Sequence, residues 1–487
     1  MKLIIFAFIA LLTLTNCAEK NRTFSTSEIA ILPKPISLDL HKASFAFKAD
    51  QTIFSNLDEQ QIAAQDLQNY INKTASFNLN IDKNNNSSIV FEKKEGLNAQ
   101  SYELSVTPKK ITIYANDVAG YFYGVQTVKQ LMAIETSKDT RHTKYLVPSV
   151  TIKDGPRFKW RAFMLDEARY FHGEVFVKQM LDQMALLKMN TFHWHLIDDA
   201  GWRIEIKKYP LLTKVGAFRA DSEIGTWKSG KTSGQPHGGF YTQEQIKDIV
   251  AYAKARNINI VPEFEMPGHS SAAIAAYTWL GTAGIAIDVP VKFGRLYDNY
   301  DVTKPEVITF MKDVLTEIFE LFPSEVIHIG GDEVGYEVWE KSSSVQKYMK
   351  ENNIPTPADL QINFTNKISH YIEENGRRMM GWNEILGKNI HTDFAEKQAD
   401  KEAETVLSKN VIVHFWKGDL GLLTDAAKKG YGIVNSLHSS TYLDYNYKSI
   451  PLEKAYAFDP IPEGLDAQYH ENIYGLGCQM WSEWTPT

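Results

Sequence analysis

Short apolar runs, rich in β-branched and aromatic residues, alternate with amphipathic segments of helical spacing from Arg157 onward. Strands buried on both faces of a sheet read as continuous apolar runs, and an alternation of strands with helices indicates a parallel sheet. Eight such runs over about 330 residues predict a closed (β/α)8, or TIM, barrel with insertions. The predicted strands lie near residues 161–166, 191–198, 258–263, 326–332, 377–382, 411–416, 431–436 and 474–481. The clearest predicted helices are Val175–Lys188, Gln243–Arg256, Lys304–Phe322, Asp359–Asn375 and Leu420–Lys429.

The pattern ends in an unusual way. The predicted eighth strand is followed only by the few residues up to Thr487, and these have no helical spacing. We therefore expect a barrel whose eighth helix is missing, and apolar surface on the first and eighth strands would then lack its cover. Two explanations fit this expectation. Either the chain is truncated, or a neighbouring chain covers that flank.

The tryptophans indicate where the barrel begins. The chain has ten of them, and the first is Trp160. A shift this abrupt predicts a domain boundary just before that residue. In the preceding part, Ile111–Ala115 alternates like a strand and Val118–Met132 has helical apolar spacing. The predicted fold class is therefore α/β: a smaller α+β domain with a supporting role at 31–156, followed by the barrel at 157–487.

The N-terminus predicts export. Residues 1–17 combine a charged Lys2, an apolar stretch too short for a bilayer core of about 30 Å, and a cysteine, as a signal peptide does. Leu14-Thr-Asn-Cys17 resembles a bacterial lipobox, in which the cysteine is lipidated, and residues 18–30 have the polar composition of a tether. We predict a protein anchored by lipid at Cys17 in the bacterial outer membrane or periplasm. The alternative is an ordinary cleaved signal with an incidental cysteine.

Charge and cysteine content exclude other classes of protein. The formal net charge is −7, so the basic face that nucleic-acid binding needs is not expected. Two cysteines exclude a disulfide scaffold and a cysteine-rich zinc module. The predicted partners therefore include no nucleic acid, and the only predicted membrane contact is the lipid anchor.

Acidic and aromatic residues gather at the carboxyl ends of the predicted strands. In a (β/α)8 barrel these ends build the functional site. Aromatic rings stack on the apolar faces of sugars, and carboxylates and guanidinium groups bond to sugar hydroxyls. This composition therefore favours glycan chemistry. The residues concerned are Asp166, Arg169, Asp198, Asp199, Glu263, Glu265, His269, Asp332, Glu333, Trp382, Glu384, Trp416, His438, Tyr442, Asp444, Tyr445, Trp481, Glu483 and Trp484.

The strongest single motif is His328-Ile-Gly-Gly-Asp332-Glu333-Val334. Adjacent residues of a strand point to opposite sides, so both acids enter one pocket only if the strand has already bent. The pair Gly330-Gly331 makes such a bend easy. Glycoside hydrolysis needs a carboxylic acid of raised pKa to protonate the leaving oxygen, and crowded acids in a partly apolar pocket supply it.

This motif and its surroundings resemble glycoside hydrolase family 20, the β-N-acetylhexosaminidases. The resemblance runs from about residue 31 to the end and includes Asp117-Val-Ala-Gly-Tyr-Phe-Tyr-Gly-Val-Gln126 in the first domain. One departure is Glu265, where the family more often has Asp. The matching barrel strings are Arg161…Asp166-Glu-Ala-Arg169, Phe192-His-Trp-His-Leu-Ile-Asp198-Asp199-Ala-Gly-Trp202-Arg203, Pro262-Glu-Phe-Glu-Met-Pro-Gly-His269, Gly381-Trp382-Asn-Glu-Ile385, Tyr442-Leu-Asp444 and Trp481-Ser-Glu483.

The resemblance implies an exo-acting, retaining β-N-acetylhexosaminidase that removes terminal N-acetylglucosamine or N-acetylgalactosamine by substrate-assisted catalysis. In this family the 2-acetamido oxygen of the substrate replaces an enzymic nucleophile and forms an oxazolinium intermediate. By resemblance, Glu333 is the general acid and later the base. Asp332 holds the acetamido N–H, and Tyr442 donates a hydrogen bond to the acetamido oxygen. Asp198 and His269 are implied to be a relay that tunes the pKa of Glu333.

The resemblance also implies the residues that bind the sugar, with no cofactor and no metal. Arg169 is implied to bind the 3- and 4-hydroxyls, and Asp444 and Glu483 the outer hydroxyls. The implied partner is a glycan with a terminal N-acetylhexosamine. The implied pocket walls are Trp382, Trp416 and Trp481.

Two other functions fit the same residues. A sugar-binding surface lipoprotein of the same fold, weakened in catalysis, would bind N-acetylglucosamine without hydrolysing it. A metal-dependent hydrolase would use the acids together with His193 and His195, which share one face of a strand. Two histidines at this spacing do not complete a metal site by themselves, and a structural role is the simpler interpretation.

Overall fold

The computed structural model describes residues 22–75, 77–83, 86–136, 143–294, 298–388 and 402–485. The chain divides into two compact units between Gly155 and Pro156. Cys17, with the predicted signal peptide and the first residues of the predicted tether, lies outside the described residues. In the rest of that segment, Thr26–Glu28 forms a 3-10 helix and Phe24 is buried. None of the helices in the described ranges combines the length and the apolar character that a bilayer crossing requires.

The first unit is an α+β domain. Its helices are α1 (Asp58–Thr74) and α2 (Val118–Leu131), and its strands are β1 (Ser37–Ala46), β2 (Thr52–Phe54), β3 (Asn80–Asp82), β4 (Ile89–Lys93), β5 (Tyr102–Val106), β6 (Ile111–Ala115), β7 (Ala133–Thr136) and β8 (Thr143–Asp154). The strands form one sheet in the order β1-β8-β5-β6-β4-β2-β3, with β7 paired to β8. Helix α2 begins where the Asp117 carboxylate accepts a hydrogen bond from the Gly120 N–H at 2.7 Å, the geometry of an N-cap.

The second unit contains a closed barrel of eight parallel strands. The strands of this unit are β9 (Trp160–Asp166), β10 (Thr191–His195), β11 (Ile197–Asp198), β12 (Gly201–Trp202), β13 (Phe218–Arg219), β14 (His237–Gly238), β15 (Asn259–Glu263), β16 (Val326–His328), β17 (Arg378–Trp382), β18 (Val411–Phe415), β19 (Gly432–Asn435) and β20 (Ile473–Met480). The barrel order is β10-β15-β16-β17-β18-β19-β20-β9, and β11-β12 and β13-β14 are separate hairpins. The predicted barrel and the smaller domain before it are confirmed.

Two of the predicted strands are shorter than the sequence suggested by three residues or more. The strand predicted at 191–198 ends at His195, and the next two residues start the β11-β12 hairpin. The strand predicted at 326–332 ends at His328, because the chain turns through Gly330 and Gly331, which have φ of 65° and 91°. The apolar pattern therefore placed the carboxyl ends of both strands several residues too late in the chain.

The helices of the second unit follow the predicted segments closely. Thr242 caps one of them by accepting a hydrogen bond from the Gln245 N–H, and Pro305 occupies the first turn of another. These helices are α3 (Glu174–Leu186), α4 (Leu211–Lys214), α5 (Gln243–Lys254), α6 (Ser271–Ala276), α7 (Pro305–Leu321), α8 (Glu337–Lys341), α9 (Ser343–Glu351), α10 (Pro357–Glu374), α11 (Leu420–Lys428), α12 (His438–Thr441) and α13 (Leu452–Ala457).

The outer face of β20 is the partly open part of the barrel wall. Its alternate residues Leu476, Cys478 and Met480 are half-buried, whereas every residue of β10 is buried. Alternate side chains of a strand share one face, so the exposure belongs to a single face of β20. The described residues beyond Met480 contain no helix, as the sequence led us to expect.

Arg203 fastens the long segment after β12 to the barrel. Its side chain is fully buried and donates only to backbone carbonyls. Nε donates to the Glu167 oxygen at 3.0 Å and Nη2 to the Ala168 oxygen at 2.7 Å. Nη1 donates to the oxygens of Ala217 and Gly239 at 2.7 and 3.0 Å. The fork of five donors on arginine suits this arrangement in a way that no other side chain does.

We expect Arg203→Met to destabilise the fold strongly, because it keeps the bulk but leaves buried carbonyls without donors. An unsatisfied buried polar group costs about 1–3 kcal/mol, so the free energy of unfolding in urea should fall by about 3 kcal/mol or more. Arg157→Met is the control, since Arg157 forms an exposed ion pair with Asp459, whose loss costs about 1 kcal/mol or less. Equal losses in the two variants would contradict the role of Arg203.

Candidate active site

A pocket opens at the carboxyl ends of the barrel strands. Its walls come from the segments after β9, β15, β16, β18, β19 and β20, from the end of β17 and from the segment after β12. Every residue that the sequence assigned to catalysis or sugar binding lines this pocket except Asp198, which lies behind Arg169. The lining residues are Arg169, Trp227, His269, Gly294, Asp332, Glu333, Trp382, Trp416, Tyr442, Asp444, Tyr445, Trp481, Glu483 and Trp484.

A sharp bend after β16 turns both acids of the main motif into this pocket. Gly330 and Gly331 have positive φ, and Glu333 also lies in the left-handed region, with φ of 48°. A Cβ atom on Gly330 would collide with the carboxyl group of Glu265. Left-handed conformations of residues other than glycine carry strain, and such strain clusters at functional sites. The bend explains how the adjacent Asp332 and Glu333 face one cavity.

Buried charges of alternating sign lead from the barrel interior to the pocket. Nδ1 of His195 lies 2.6 Å from Oε2 of Glu263, and its Nε2 lies 3.1 Å from Oδ2 of Asp198. The same Asp198 oxygen lies 2.7 Å from Nη2 of Arg169. The other Asp198 oxygen lies 3.3 Å from Nδ1 of His269. We call these five side chains the charge chain.

The partners in the charge chain keep one another ionised. Burial alone would raise the pKa of Asp198, but Arg169 and His269 hold it well below its usual range. Burial would lower the pKa of His269, but Asp198 raises it well above the usual value. Burial would likewise lower the pKa of His195, and Glu263 with Asp198 raises it instead to about 10. Asp198 is therefore anionic and both histidines are cationic at neutral pH.

The charge chain ends beside the two motif acids. Nε2 of His269 lies 3.9 Å from Oδ2 of Asp332 and 3.8 Å from Oε2 of Glu333. These distances are longer than hydrogen bonds but short enough for a strong electrostatic effect. Burial raises the pKa of Asp332 to about 7, against the lowering effect of His269. The Asp198–His269 pair, predicted as a relay, therefore places a cation next to both acids.

Two carboxylate oxygens in the pocket have no hydrogen-bond partner among the described protein atoms. They are Oδ1 of Asp332 and Oδ1 of Asp444, and both are buried. Burial raises the pKa of Asp444 to about 6 and that of Glu483 to about 7. Because buried polar atoms are normally satisfied, these oxygens are positioned to accept hydrogen bonds from a ligand.

Aromatic rings complete the walls. Trp382 stacks on His414 with ring centroids 4.1 Å apart and an interplanar angle of 19°. Trp416 lies parallel to Tyr442, with a centroid distance of 6.2 Å and an angle of 9°. Trp481 lies 6.0 Å from Trp382 and 6.1 Å from Tyr442. Flat indole surfaces around acceptor oxygens suit a ligand that has both apolar faces and polar edges.

Sequence reasoning missed part of the lining. Trp227 and Gly294 come from long segments between barrel elements, and Trp227 meets Trp484 edge to face at 5.3 Å. Tyr445 and Trp484 were noted near strand ends but were given no role. The only available signal was their closeness to Asp444 and Glu483 in the chain, and Trp227 had no such neighbour.

Among the described residues, three groups of side chains have the donor types and spacing to hold a metal ion. In each group the donor atoms come within 4.8 Å of one another. However, the donors already face one another at bonding distance, such as Nε2 of His328 and Nδ1 of His414 at 3.2 Å. Mutual hydrogen bonds and ion pairs account for these contacts, and the expected absence of a metal stays a prediction. The groups are His193, His328 and His414; His195, Glu263 and Glu265; and Asp198, Asp199 and His269.

The fold and the pocket together define a (β/α)8-barrel protein with an acidic site walled by tryptophans. Residues 158–487 match the family described as glycosyl hydrolase family 20, catalytic domain. Residues 28–155 match glycosyl hydrolase family 20, domain 2. The chain belongs to glycosyl hydrolase family 20, and the resemblance seen in its motifs is confirmed.

Relatives of known name or structure agree with this family. The chain is 33% identical to beta-hexosaminidases of Porphyromonas gingivalis and Vibrio furnissii, over 98% and 93% of its length. It spans 61% and 72% of the length of these two relatives. The Vibrio harveyi GH20 exo β-N-acetylglucosaminidase in complex with N-acetylglucosamine has a TM-score of 0.80 at 30% identity, covering 94% of this chain and 70% of that one. Flavobacterium johnsoniae chitobiase has a TM-score of 0.77 at 31% identity, with 95% and 66% covered.

We expect Gly330→Ala to lose more stability than the left-handed conformation alone explains. Alanine at positive φ costs about 1–2 kcal/mol, and the collision with Glu265 adds an overpacking cost of about 1–3 kcal/mol. Gly376→Ala is the matched control, because Gly376 has φ of 71° and an added Cβ would meet nothing within 4 Å. Free energies of unfolding measure both effects, and equal losses would show that the collision is absent.

Proposed function

We propose that this chain is an exo-acting, retaining β-N-acetylhexosaminidase that removes terminal N-acetylglucosamine or N-acetylgalactosamine from glycans. The observation that carries the proposal is the pair Asp332–Glu333 in one pocket, with the buried Oδ1 of Asp332 still lacking a donor. The acetamido N–H of a substrate would donate a hydrogen bond to this Asp332 oxygen. The names of the relatives and the N-acetylglucosamine complex of the Vibrio harveyi enzyme support the same substrate class.

In the first step Glu333 protonates the glycosidic oxygen. The bond between that oxygen and the anomeric carbon breaks, and the aglycone leaves as an alcohol. The acetamido carbonyl oxygen bonds to the anomeric carbon from the opposite face, which gives a cationic oxazolinium ring. Asp332 accepts the acetamido N–H and opposes the positive charge. Because the nucleophile is tethered to its target, little entropy remains to be lost.

In the second step the Glu333 carboxylate removes a proton from water. The water oxygen attacks the anomeric carbon, and the bond from the acetamido oxygen to that carbon breaks. The acetamido group is restored, and Glu333 regains its proton. Two successive inversions give a product with retained configuration.

The charge chain prepares Asp332 for this role. The carboxyl must be anionic to oppose the oxazolinium cation, yet burial raises its pKa to about 7. His269 counteracts burial, because Asp198 keeps the imidazole charged close to Asp332. The positive charge that develops on the substrate favours the anion further.

The other pocket residues bind the sugar in this proposal. Arg169 and Glu483 hold hydroxyls of the sugar, and Arg169 lies over the Trp481 ring at 5.0 Å. Asp444 accepts an outer hydroxyl with its unpartnered oxygen. Burial raises the pKa of Tyr442 well above its usual value, so its O–H remains available to donate to the acetamido oxygen. Trp382, Trp416 and Trp481 enclose the ring and the acetamido methyl group.

We expect the full chain to release aryl alcohol from an aryl β-N-acetylglucosaminide, and Glu333→Gln to lower kcat about 10²–10⁴-fold. The loss should shrink with a more acidic aryl alcohol, which needs less protonation to leave. Asp332→Asn should lose activity for both leaving groups, because the anion opposes charge on the sugar. The exposed Glu351→Gln is the matched control.

Four results would contradict this function or a part of it. Absence of turnover by the unmodified chain would refute it, and full turnover by Glu333→Gln would refute the role of that residue. Saturable binding of N-acetylglucosamine without hydrolysis would support the sugar-binding alternative. Loss of turnover on adding a chelator would support the metal-dependent alternative.

We further propose that the protein is exported and anchored by a lipid at Cys17. The proposal rests on the charged, apolar and lipobox-like parts of residues 1–17. Cys17→Ser should move the protein from the detergent phase to the aqueous phase when cells are extracted with a phase-separating detergent. Equal partitioning of both forms would show that Cys17 carries no lipid.

A further inference from the structure

Glu263 is a fully buried acid that lies beneath the pocket and has no part in the steps above. It is the last residue of β15, and its carboxylate points into the barrel interior. Oε1 accepts a hydrogen bond from Nε1 of Trp382 at 2.9 Å. Oε2 bonds to Nδ1 of His195 at 2.6 Å. Nε2 of His193 lies 2.8 Å from Oε2, and Nδ1 of His328 lies 3.0 Å from Oε1.

The first contact, the hydrogen bond to Trp382, connects Glu263 to the wall of the pocket. The indole of Trp382 is held at one edge by the Glu263 carboxylate and on one face by the His414 ring. Trp382 also lines the pocket. With one directional hydrogen bond and one stack, the ring has a single well-defined orientation.

The second contact reaches the pocket through the charge chain. The His195 imidazole spans Glu263 and Asp198, one at each ring nitrogen. Asp198 in turn holds Arg169 and His269, which line the pocket. One buried carboxylate is therefore linked to the pocket in two ways, directly to Trp382 and through His195 and Asp198 to Arg169 and His269.

We propose that Glu263 is a positioning residue for the proposed hydrolysis. It fixes the Trp382 indole that encloses the acetamido group. Through His195 it also fixes Asp198, and with it the guanidinium of Arg169. This inference rests on the proposed function for the roles of the pocket residues, but the contacts themselves do not depend on substrate.

The electrostatics agree with this geometry. Burial would raise the pKa of Glu263, but His328 and His195 hold it well below its usual range. Burial would lower the pKa of His195, but Glu263 raises it, with help from Asp198, to about 10. The groups that face His195 are Glu263 on β15, Asp198 on β11, Asp166 at the end of β9, His193 on its own strand and the Trp481 ring after β20.

The raised pKa of His195 has a defined effect on stability. The ordinary value is 6.5 and the folded value is about 10. The ion pair therefore contributes its full stabilisation below pH 6.5 and loses it as the pH rises through about 10. Without the Glu263 charge, the imidazole should lose its proton at a much lower pH.

The test is Glu263→Gln, which keeps the shape but removes the charge. In protein labelled with ¹⁵N-histidine, the His195 resonance, assigned by its loss in His195→Gln, should titrate about 1–3 pH units lower than in the unmodified protein. The kcat/KM for an aryl β-N-acetylglucosaminide should fall roughly 100-fold, mainly in kcat, because reacting groups displaced by about 1 Å lose that much rate.

Glu167→Gln is the matched control. Glu167 is also fully buried, and its carboxylate accepts from the Tyr241 hydroxyl at 2.7 Å and lies 3.0 Å from Nδ1 of His172. Its hydrogen bond to His195 runs between main chains, from the Glu167 N–H to the His195 carbonyl oxygen at 2.9 Å, and glutamine keeps it. Since the bonds of its carboxylate go to other described residues than His195 and Trp382, the His195 titration and kcat should stay close to those of the unmodified protein. An unchanged titration and kcat in Glu263→Gln, or equal losses in both variants, would overturn the positioning role.

Trp382→Phe keeps the inference testable if Glu263→Gln does not fold. It removes the Nε1 donor and leaves Glu263 with its histidines. We expect kcat to fall about 10-fold or more, with an unchanged His195 titration, and an unchanged kcat would overturn the first contact. The titration needs no substrate, so a chain that fails to hydrolyse would refute the proposed function while the positioning contacts could still be read.

Discussion

The ion pair between Glu263 and His195 is the interaction on which the pocket depends. Both side chains are fully buried, where an isolated charge would cost several kcal/mol. His195 is satisfied only because Glu263 lies at one ring nitrogen and Asp198 at the other. Asp198 needs further positive charge, and Arg169 and His269 supply it. Removing one member would leave its neighbour unpaired in a medium of low dielectric, so the five groups act as one unit.

The same residues join two neighbouring strands of the barrel and support the site. Glu263 ends β15, His195 ends the adjacent β10, and Asp198 lies in the hairpin that follows. The register of β10 and β15 pairs these two end residues directly. A shift of one residue would turn the His195 side chain to the other face of the strand and remove the counter-charge from both acids. Specific pairing of charges, rather than apolar burial alone, therefore fixes the rim of the barrel at this point.

Much of this architecture is visible in the sequence, and the reasons differ from part to part. Strands such as β18 were found because parallel strands buried on both faces read as continuous apolar runs. The same rule placed the end of β16 too late, because it considers apolar character and not the turn that Gly330 and Gly331 make. Asp332 and Glu333 were found from their place behind that strand. Glu263 stood in the same kind of position but gave no sign that it points inward, because that depends on which neighbours surround it in three dimensions. Trp227 was missed because a local sequence pattern does not predict the path of a long loop.

Asp332 and Glu333 show how one backbone feature gives different surroundings to equivalent chemical groups. The side chain of Asp332 is 13% exposed and that of Glu333 is 25% exposed, although they are neighbours in the chain. Glu333 has the left-handed conformation, and its carboxyl is the more accessible of the two. Asp332 stays deeper, with an unpartnered oxygen and a pKa raised by burial to about 7. Such a difference in surroundings supports the two roles that we propose for these carboxyl groups. The glycine pair before them is therefore part of the chemistry, because without the bend the second acid would face away from the pocket.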